Sequence, residues 1–315
     1  MPAVSDKRLT LNNGTSIPAV GVGCWMGACG EGEHVTNMVK LALDLGYRHI
    51  DTAENYGNEQ SVGKALRESG VPRHDVFLTT KLDQSDHGRV EQAFETSLTK
   101  LGVDHVDLYL MHWPMAYGES GDTLQPEESP TFVETWLEME QLLADGRAKA
   151  IGVSNFNVKT LTKLLAHASV VPAVNQVELH PCLPQHELLN FCNERGILLT
   201  AYSPIGKAKF ADDPAITAIA AAHGPGVTGA RILLSWGVQR GTAVIPKTVH
   251  TERLKENLQL VHLSAAEMET LDRFYRRPGS HRSVCGFHSA ELGGSCFGWT
   301  YEQLGWAMAE GGIHL

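Results

Sequence analysis

Short apolar segments alternate with amphipathic segments along almost the whole of this 315-residue chain. The apolar segments are rich in valine, isoleucine and leucine without polar alternation, which is typical of parallel strands buried on both faces. The predicted strands are 20–22, 47–50, 76–80, 106–111, 149–152, 174–178, 197–201 and 243–245.

The amphipathic segments carry apolar residues at three- and four-residue spacing, which is typical of helices that pack on such a sheet. The predicted helices are 33–45, 58–69, 88–101, 131–145, 157–168, 185–195, 227–238 and 252–258. Eight strands in alternation with about eight helices predict an α/β fold of the (β/α)8, or TIM, barrel type.

An open doubly wound sheet is the competing fold, and it would require a Gly-x-Gly-x-x-Gly turn after the first strand. The segment 21–26, Gly-Val-Gly-Cys-Trp-Met, lacks the third glycine and precedes a loop instead of a helix. The barrel is therefore favoured. No linker or break in composition divides the chain, so we expect one domain over residues 1–315.

Three segments lie outside the alternation. Residues 7–17 predict an N-terminal β-hairpin with a tight turn at Asn13-Gly14. Residues 113–130 are polar and predict a long loop. From about residue 277 onward the chain is rich in glycine and aromatic residues, and we expect a long C-terminal tail over the active-site face of the barrel.

Three successive predicted strands each end in one titratable residue, namely Asp51, Lys81 and His112, and Tyr56 follows the first of them closely. In a (β/α)8 barrel the active site lies at the C-terminal ends of the strands, so the fold would bring these four side chains together. An aspartate keeps a buried lysine charged, and the ammonium would lower the pKa of a neighbouring phenol below about 10. Tyr56 would then donate a proton while His112 orients a substrate oxygen.

The segment after the last predicted strand carries two cations, Lys247 and Arg253, with Thr251 as a possible helix N-cap. Phosphate sites recur at this place in (β/α)8 barrels, and an arginine fork matches a phosphate group. The pair therefore predicts a monophosphate site, although a basic helix face is the simpler alternative.

The net charge of −10 argues against binding to nucleic acid or to an anionic membrane surface.

The six cysteines are scattered and no apolar run is long enough to span a membrane, which favours a reducing, cytoplasmic location. The histidines are dispersed, so we expect no metal site.

The chain closely resembles the aldo-keto reductase superfamily, and within it aldehyde, glycerol and xylose reductases of the fungal or plant type. The motifs that carry the resemblance are Gly46 to Ala53 with Tyr56-Gly57-Asn58-Glu59, Leu108 to Pro114, Ile151 to Phe156, and Ile245-Pro246-Lys247-Thr248. The resemblance covers nearly the whole chain. It implies a barrel that binds NADPH/NADP+ and reduces a small carbonyl substrate, and it also implies a monomer or weak homodimer.

The resemblance also implies roles for individual residues. Asp51, Tyr56, Lys81 and His112 match the catalytic tetrad, with Tyr56 as the proton donor. The implied cofactor contacts are Cys24, the carboxamide ligands Ser154, Asn155 and Gln176, the ring-stacking Tyr202, the pyrophosphate loop Ser203, Ile205 and Gly206, the 2′-phosphate ligands Lys247, Thr248 and Arg253, and the adenine contacts Glu256 and Asn257. The implied substrate contacts are Trp25, Trp113, His112 and Asp83.

Two features separate this chain from many members. Asp83 stands where many members carry tryptophan, which should make that wall of the pocket more polar or more open. The tail resembles no member closely.

An NADPH-binding regulatory subunit with little turnover is the alternative function, and an isomerase or hydrolase on the same barrel is a weaker one.

Overall fold

The computed structural model describes residues 6–30 and 32–315, so residues 1–5 and 31 of the predicted domain lie outside them. An antiparallel hairpin, β1 (Arg8–Thr10) and β2 (Ser16–Pro18), opens the chain as predicted. Eight parallel strands follow in sequence order, each paired with its neighbours in the chain. They are β3 (Val22–Gly23), β4 (His49–Asp51), β5 (Phe77–Leu82), β6 (Leu108–Met111), β7 (Ile151–Ser154), β8 (Val174–Glu178), β9 (Leu198–Tyr202) and β10 (Ala243–Val244).

Contacts between the first and last strands close this sheet into a barrel. Val20, just before β3, forms a parallel bridge with Val244 of β10. The Gly21 amide donates to the Val244 carbonyl at 2.9 Å, and the Val244 amide donates to the Ala19 carbonyl at 2.8 Å. Closure removes both exposed edges of the sheet. The predicted (β/α)8 barrel is confirmed.

Helices surround the strands close to their predicted bounds. They are α1 (Glu33–Asp44), α2 (Glu59–Glu68), α3 (Val90–Leu101), α4 (Phe132–Gln141), α5 (Val158–Leu165), α6 (His186–Asn193), α7 (Pro214–Ala222), α8 (Gly229–Gln239), α9 (Thr251–Asn257), α10 (Ala265–Asp272) and α11 (Tyr301–Leu304). Helices α7, α10 and α11 were not predicted from the sequence. Helix α4 begins at a reciprocal cap between Thr131 and Glu134 and ends four residues before its predicted end at 145.

The hairpin covers the end of the barrel away from the strand C-termini. Leu11 and Ile17 pack against Phe77, Leu108 and Val174, which are the first residues of β5, β6 and β8. Ile17 has no exposed surface. The N-terminal end is therefore sealed by apolar side chains, and the opposite end is left for polar groups.

The predicted C-terminal tail folds into small elements. They are β11 (His288–Ser289), β12 (Ser295–Cys296) and β13 (Trp299–Thr300) in one antiparallel sheet, α11, and the hairpin of β14 (Met308–Ala309) and β15 (Ile313–His314). No helix in the described part of the chain is both long and apolar enough to cross a membrane. Over residues 6–30 and 32–315, no three histidine, cysteine or acidic side chains gather in a way that could hold a metal ion.

We expect acid to destabilise this barrel through two buried histidines. Burial lowers the pKa of His49 and that of His87 from 6.5 to about 4, so both are neutral in the folded chain. The unfolded chain binds their protons below about pH 6.5, so the free energy of unfolding should fall between about pH 6.5 and pH 4, by up to about 3 kcal/mol for each histidine.

Urea unfolding at about pH 7 and about pH 4.5 measures this loss. His49→Asn should reduce the pH dependence. His74→Gln is the matched control, since its side chain is 82% exposed. An unchanged pH dependence in His49→Asn would contradict the assignment.

Candidate active site

The C-terminal ends of β4 and β5 carry a buried ion pair. The Lys81 ammonium lies 2.6 Å from Asp51 Oδ1, and it also donates to the Thr52 carbonyl at 2.7 Å. Both side chains are almost fully buried, at 0% exposure for lysine and 2% for aspartate. Burial opposes the charge on Lys81, but Asp51 and Tyr56 raise its pKa above the ordinary value. Lys81 is therefore a permanent cation beneath the barrel opening.

Tyr56 ends a short 3-10 turn, Glu54–Tyr56, that follows β4. Its hydroxyl lies 3.4 Å from Lys81 Nζ, and the same ammonium lies 4.9 Å from the ring centroid. Gly57 follows with a φ of 65°, and a Cβ there would come 3.1 Å from the Gly30 amide nitrogen. Only glycine fits this turn without strain, so the backbone fixes the phenol over the ammonium.

The pKa of Tyr56 departs from the sequence-based expectation. Burial raises the pKa of the phenol above 10, and the charge of Lys81 offsets this rise only in part. The prediction of a pKa below 10 is therefore wrong, because loss of hydration outweighs the attraction of one ammonium. Tyr56 is a neutral hydroxyl across the physiological pH range.

His112 follows β6 and completes the cluster. Its ring centroid lies 5.7 Å from that of Tyr56, with the two planes at 71°. Burial, followed by the charge of Lys81, lowers the pKa of His112 well below 6.5. The imidazole is therefore neutral at pH 7, and one ring nitrogen can donate a hydrogen bond without the ring carrying a charge.

Asn58 supports the cluster through two hydrogen bonds, a role that was not predicted from the sequence. It accepts a hydrogen bond from Thr52 Oγ1 at 2.7 Å and donates to the Cys24 carbonyl at 2.9 Å. It thereby links the residue after β3 to the residue after β4. Its place within Tyr-Gly-Asn-Glu was the available signal.

The predicted carboxamide ligands form a connected polar edge beside this cluster. Tyr202 donates to Asn155 Oδ1 at 2.7 Å, and Asn155 Nδ2 donates to the His112 carbonyl at 2.9 Å. Ser154 Oγ donates to the Gln176 carbonyl at 2.8 Å. Ser154, Asn155 and Tyr202 lie at or just after the ends of β7 and β9, so the structure brings them together next to His112. Gln176 joins this edge through its backbone carbonyl, two residues before the end of β8. Donors and acceptors in this edge suit a planar amide group.

The predicted pyrophosphate loop follows β9. Ser203, with a φ of 49°, and Gly206, with a φ of 57°, both adopt left-handed backbone conformations, with Ile205 between them. Ser203 Oγ lies 3.7 Å from the thiol of Cys285 in the tail. The tail therefore reaches the loop that the resemblance assigns to the cofactor.

The predicted phosphate ligands lie beyond β10. Lys247 and Arg253 are exposed, and within the described residues neither forms an ion pair, whereas Lys255 on the same helix pairs with Glu252 at 2.9 Å. Thr251 is the first residue of α9, so it is not the N-cap that the sequence suggested. His250 occupies the N-cap position and forms no side-chain cap hydrogen bond. Of the remaining predicted contacts, Thr248 and Asn257 are buried and Glu256 is half-buried.

Cys24 was predicted as a cofactor contact, and that role stays a prediction. The residue has no exposed surface and belongs to the apolar core. Its amide donates to the Asp51 carbonyl at 2.9 Å. Cys24 therefore supports the end of β4 through its backbone, and its thiol is buried.

The predicted substrate contacts differ in exposure. Trp25 is 43% exposed, with its ring centroid 5.1 Å from that of Tyr56. Trp113 is buried, with ring centroids 5.0 Å from Phe287 and 4.9 Å from Phe297 of the tail. Asp83 uses its carboxylate locally, accepting from the amide and the hydroxyl of Ser85.

The tail covers one side of the opening, as predicted. Trp299 Nε1 donates to the Leu124 carbonyl at 2.7 Å, and Thr123 Oγ1 donates to the Phe297 carbonyl at 3.0 Å, which fastens the tail to the 113–130 loop. A cavity of about 560 Å³ lies between the tail and the loops after β7 and β8. Its wall includes Tyr202 but neither Tyr56 nor His112, so it adjoins the cluster on the Tyr202 side.

Comparison with known proteins decides the family. Residues 19–276 match the model described as the aldo/keto reductase family, which covers the barrel and stops where the tail begins. The chain belongs to the aldo/keto reductase family. The resemblance seen in the sequence motifs is thereby confirmed.

Fungal relatives of this aldo/keto reductase share most of its length. A glycerol 2-dehydrogenase (NADP(+)) of Saccharomyces cerevisiae is 42% identical over 306 residues, spanning 90% of this chain and 96% of the relative. An aldehyde reductase of the same yeast is 40% identical over 306 residues, with the same two shares. A D-galacturonate reductase of Hypocrea jecorina is 41% identical over 290 residues, spanning 87% and 91%.

Solved structures of the family match the barrel closely. An aldo-keto reductase of Bombyx mori in complex with NADP has a TM-score of 0.81 and 33% identity, covering 89% of this chain and 95% of that chain. A second aldo-keto reductase, complexed with NADPH, has a TM-score of 0.79 and 37% identity, covering 85% and 87%.

In this aldo/keto reductase the first part of the tail is anchored to one buried carboxylate, Glu178 at the end of β8. It accepts from Ser283 Oγ at 2.5 Å and from the Val284 amide at 2.7 Å, and it pairs with His180 at 2.9 Å. We expect Glu178→Gln to open the tail about ten- to a hundredfold more often, because hydrogen bonds to a charged group would be lost.

Limited proteolysis within the tail measures this opening. Glu302→Gln is the matched control, since Glu302 is exposed and its carboxylate forms no hydrogen bond or ion pair with any described residue. Only its backbone carbonyl accepts hydrogen bonds, from Lys159 and the Gly305 amide. Equal cleavage rates for both variants would contradict the anchoring role.

Proposed function

We propose that this protein is an NADPH-dependent reductase that converts a small aldehyde or ketone to the alcohol. The observation that carries the proposal is the position of the Tyr56 hydroxyl, 3.4 Å from a buried ammonium and beside a neutral imidazole. A neutral acid over a fixed cation suits a substrate oxygen that becomes an alkoxide. The reductase names of the relatives support the same reaction class.

The proton comes from Tyr56 in this proposal. An alkoxide is a much stronger base than a phenolate, so a phenol with a raised pKa still donates to it. The Lys81 ammonium then stabilises the phenolate, and Asp51 keeps that ammonium charged. His112 donates a hydrogen bond to the carbonyl oxygen and holds it toward the phenol.

The chain's own residues fit NADPH. The Ser154 hydroxyl, which donates to the Gln176 backbone carbonyl, and the Asn155 side-chain amide offer the polar edge that a carboxamide requires. Tyr202 donates to Asn155 Oδ1, which places its ring next to that edge. Lys247 and Arg253 are exposed and free of ion pairs among the described residues, as a 2′-phosphate site requires. When bound, NADPH supplies the hydride for the carbonyl carbon.

The substrate is proposed to be a hydroxylated or sugar-derived carbonyl compound. The relatives named for glycerol and D-galacturonate support this class. The half-exposed Trp25 beside Tyr56 offers an aromatic face on which an aliphatic or sugar chain can pack. Asp83 accepts a hydrogen bond from the Ser85 hydroxyl and would give the substrate pocket a polar wall instead of a bulky one.

A panel of aldehydes assayed with NADPH and with NADH tests the proposal. We expect NADPH oxidation to depend on the aldehyde, with hydroxylated aldehydes among the better substrates and NADH much less effective. NADPH binding without aldehyde-dependent oxidation would favour the regulatory-subunit alternative.

We also propose that the protein is cytoplasmic and that it is a monomer or weak homodimer. Cell fractionation would test the location, and sedimentation would test the oligomeric state.

A further inference from the structure

One hydrogen bond crosses the mouth of the barrel. Gln176 on β8 donates from Nε2 to Asp51 Oδ2 on β4 at 2.6 Å, and the two residues are 125 positions apart in the chain. Strands β4 and β8 lie four places apart in a closed sheet of eight, so they face each other across the barrel. Strand pairing does not require this contact.

The bond fixes the orientation of the buried carboxylate. Asp51 Oδ1 accepts from Lys81 at 2.6 Å, and Oδ2 accepts from Gln176 at the same distance. Rotation of the carboxylate would break both bonds, so the amide restrains the group that places the ammonium 3.4 Å from the Tyr56 hydroxyl. Gln176 and Asp51 are both buried, and a hydrogen bond to a charged group is strong when water is excluded.

We propose that Gln176 is a positioning residue for the proton donor, linked to it through Asp51 and Lys81. No described residue donates a hydrogen bond to its side-chain oxygen, which is therefore open to an amide donor on a bound ligand. One side-chain amide thus joins the cofactor site to the acid, an inference that rests on the proposed function. A ligand bound in the cofactor site would restrain the Gln176 side chain. It would thereby fix the positions of Asp51, Lys81 and Tyr56 relative to one another.

Gln176→Glu tests the contact without cofactor or turnover. The variant has the same size but places a carboxyl group against Asp51, and two such groups at this distance must share a proton. The pKa of the pair is raised in the folded state, so stability should be lost as the pH rises through that value. We expect the unfolding free energy of the cofactor-free variant to fall with rising pH relative to the wild type.

Gln176→Leu tests the positioning role. At saturating NADPH we expect kcat to fall about ten- to a hundredfold, the range associated with one hydrogen bond to a charged group, and the pH dependence of kcat to shift. Ser154→Ala is the comparison variant, because Ser154 bonds the Gln176 backbone and not the Asp51 carboxylate. It should weaken NADPH binding, measured by fluorescence, and leave the shape of the pH profile unchanged.

The outcomes separate this inference from the proposed function. Gln176→Glu with the wild-type dependence of stability on pH, or Gln176→Leu with the wild-type pH profile of kcat, would overturn the positioning role. If the wild-type protein fails to oxidise NADPH with any aldehyde of the panel, the proposed function is overturned, and the inference with it. Thermal unfolding of Gln176→Leu, with Gln176→Met as a second variant, checks that the fold is retained.

Discussion

Tyr56→Phe should lower kcat by about 10²- to 10⁴-fold, the range associated with a positioned general acid, and leave NADPH affinity nearly unchanged. The substitution removes only the hydroxyl that lies 3.4 Å from Lys81 and keeps the ring packed beside Trp25 and His112. Steady-state kinetics with a reactive aldehyde, together with fluorescence titration of NADPH, measures both quantities.

Tyr117→Phe is the matched control for that experiment. Tyr117 lies in the loop after β6, where its hydroxyl accepts from Gln84 at 2.9 Å and has no role in the proposed chemistry. It should keep kcat near the wild-type value. A Tyr56→Phe enzyme with near wild-type kcat would contradict the assignment of the proton donor.

Neutralising the proposed phosphate ligands should change cofactor preference. Lys247→Met combined with Arg253→Met should raise the KM for NADPH about a hundredfold or more, since two charge-assisted hydrogen bonds to the 2′-phosphate would be lost. The KM for NADH, which lacks that phosphate, should change little. Both cations are exposed and unpaired among the described residues, so their loss should not disturb the barrel.

Lys255→Met is the control for the phosphate ligands. It removes one positive charge from the same helix, but its ammonium pairs with Glu252. We expect it to leave the NADPH to NADH preference unchanged. Equal increases in the KM for both cofactors in the double variant would contradict a specific phosphate site.

Much of the barrel was predictable because its strands and helices follow simple apolar periods. The strand ending at Asp51 ends within one residue of its predicted end, and the helix Glu59–Glu68 lies within one residue of both of its predicted bounds. Helix α7 was missed because Pro214–Ala222 is mostly alanine and isoleucine, with little polar contrast between its faces. That residues 1–315 form a single domain stays a prediction.

The candidate site was predictable as a set of residues but not as a geometry. The strand-end positions of Asp51 and Lys81 follow from the fold, whereas the hydrogen bond from Gln176 depends on the barrel's closure and diameter. The pKa of Tyr56 was mispredicted because burial is not visible in a local motif. The tail contacts of Trp113 were equally hidden, since aromatic packing between distant segments leaves no periodic signal.

Transfer of label from cofactor to product tests the central claim most directly. The protein is incubated with an aldehyde and NADPH that carries deuterium at the transferable position of the nicotinamide, and the alcohol is analysed by mass spectrometry. We predict one deuterium on the carbinol carbon for each NADPH consumed, and its formation should be lost in Tyr56→Phe. Alcohol without deuterium, or NADPH consumption without alcohol, would contradict the proposed reaction.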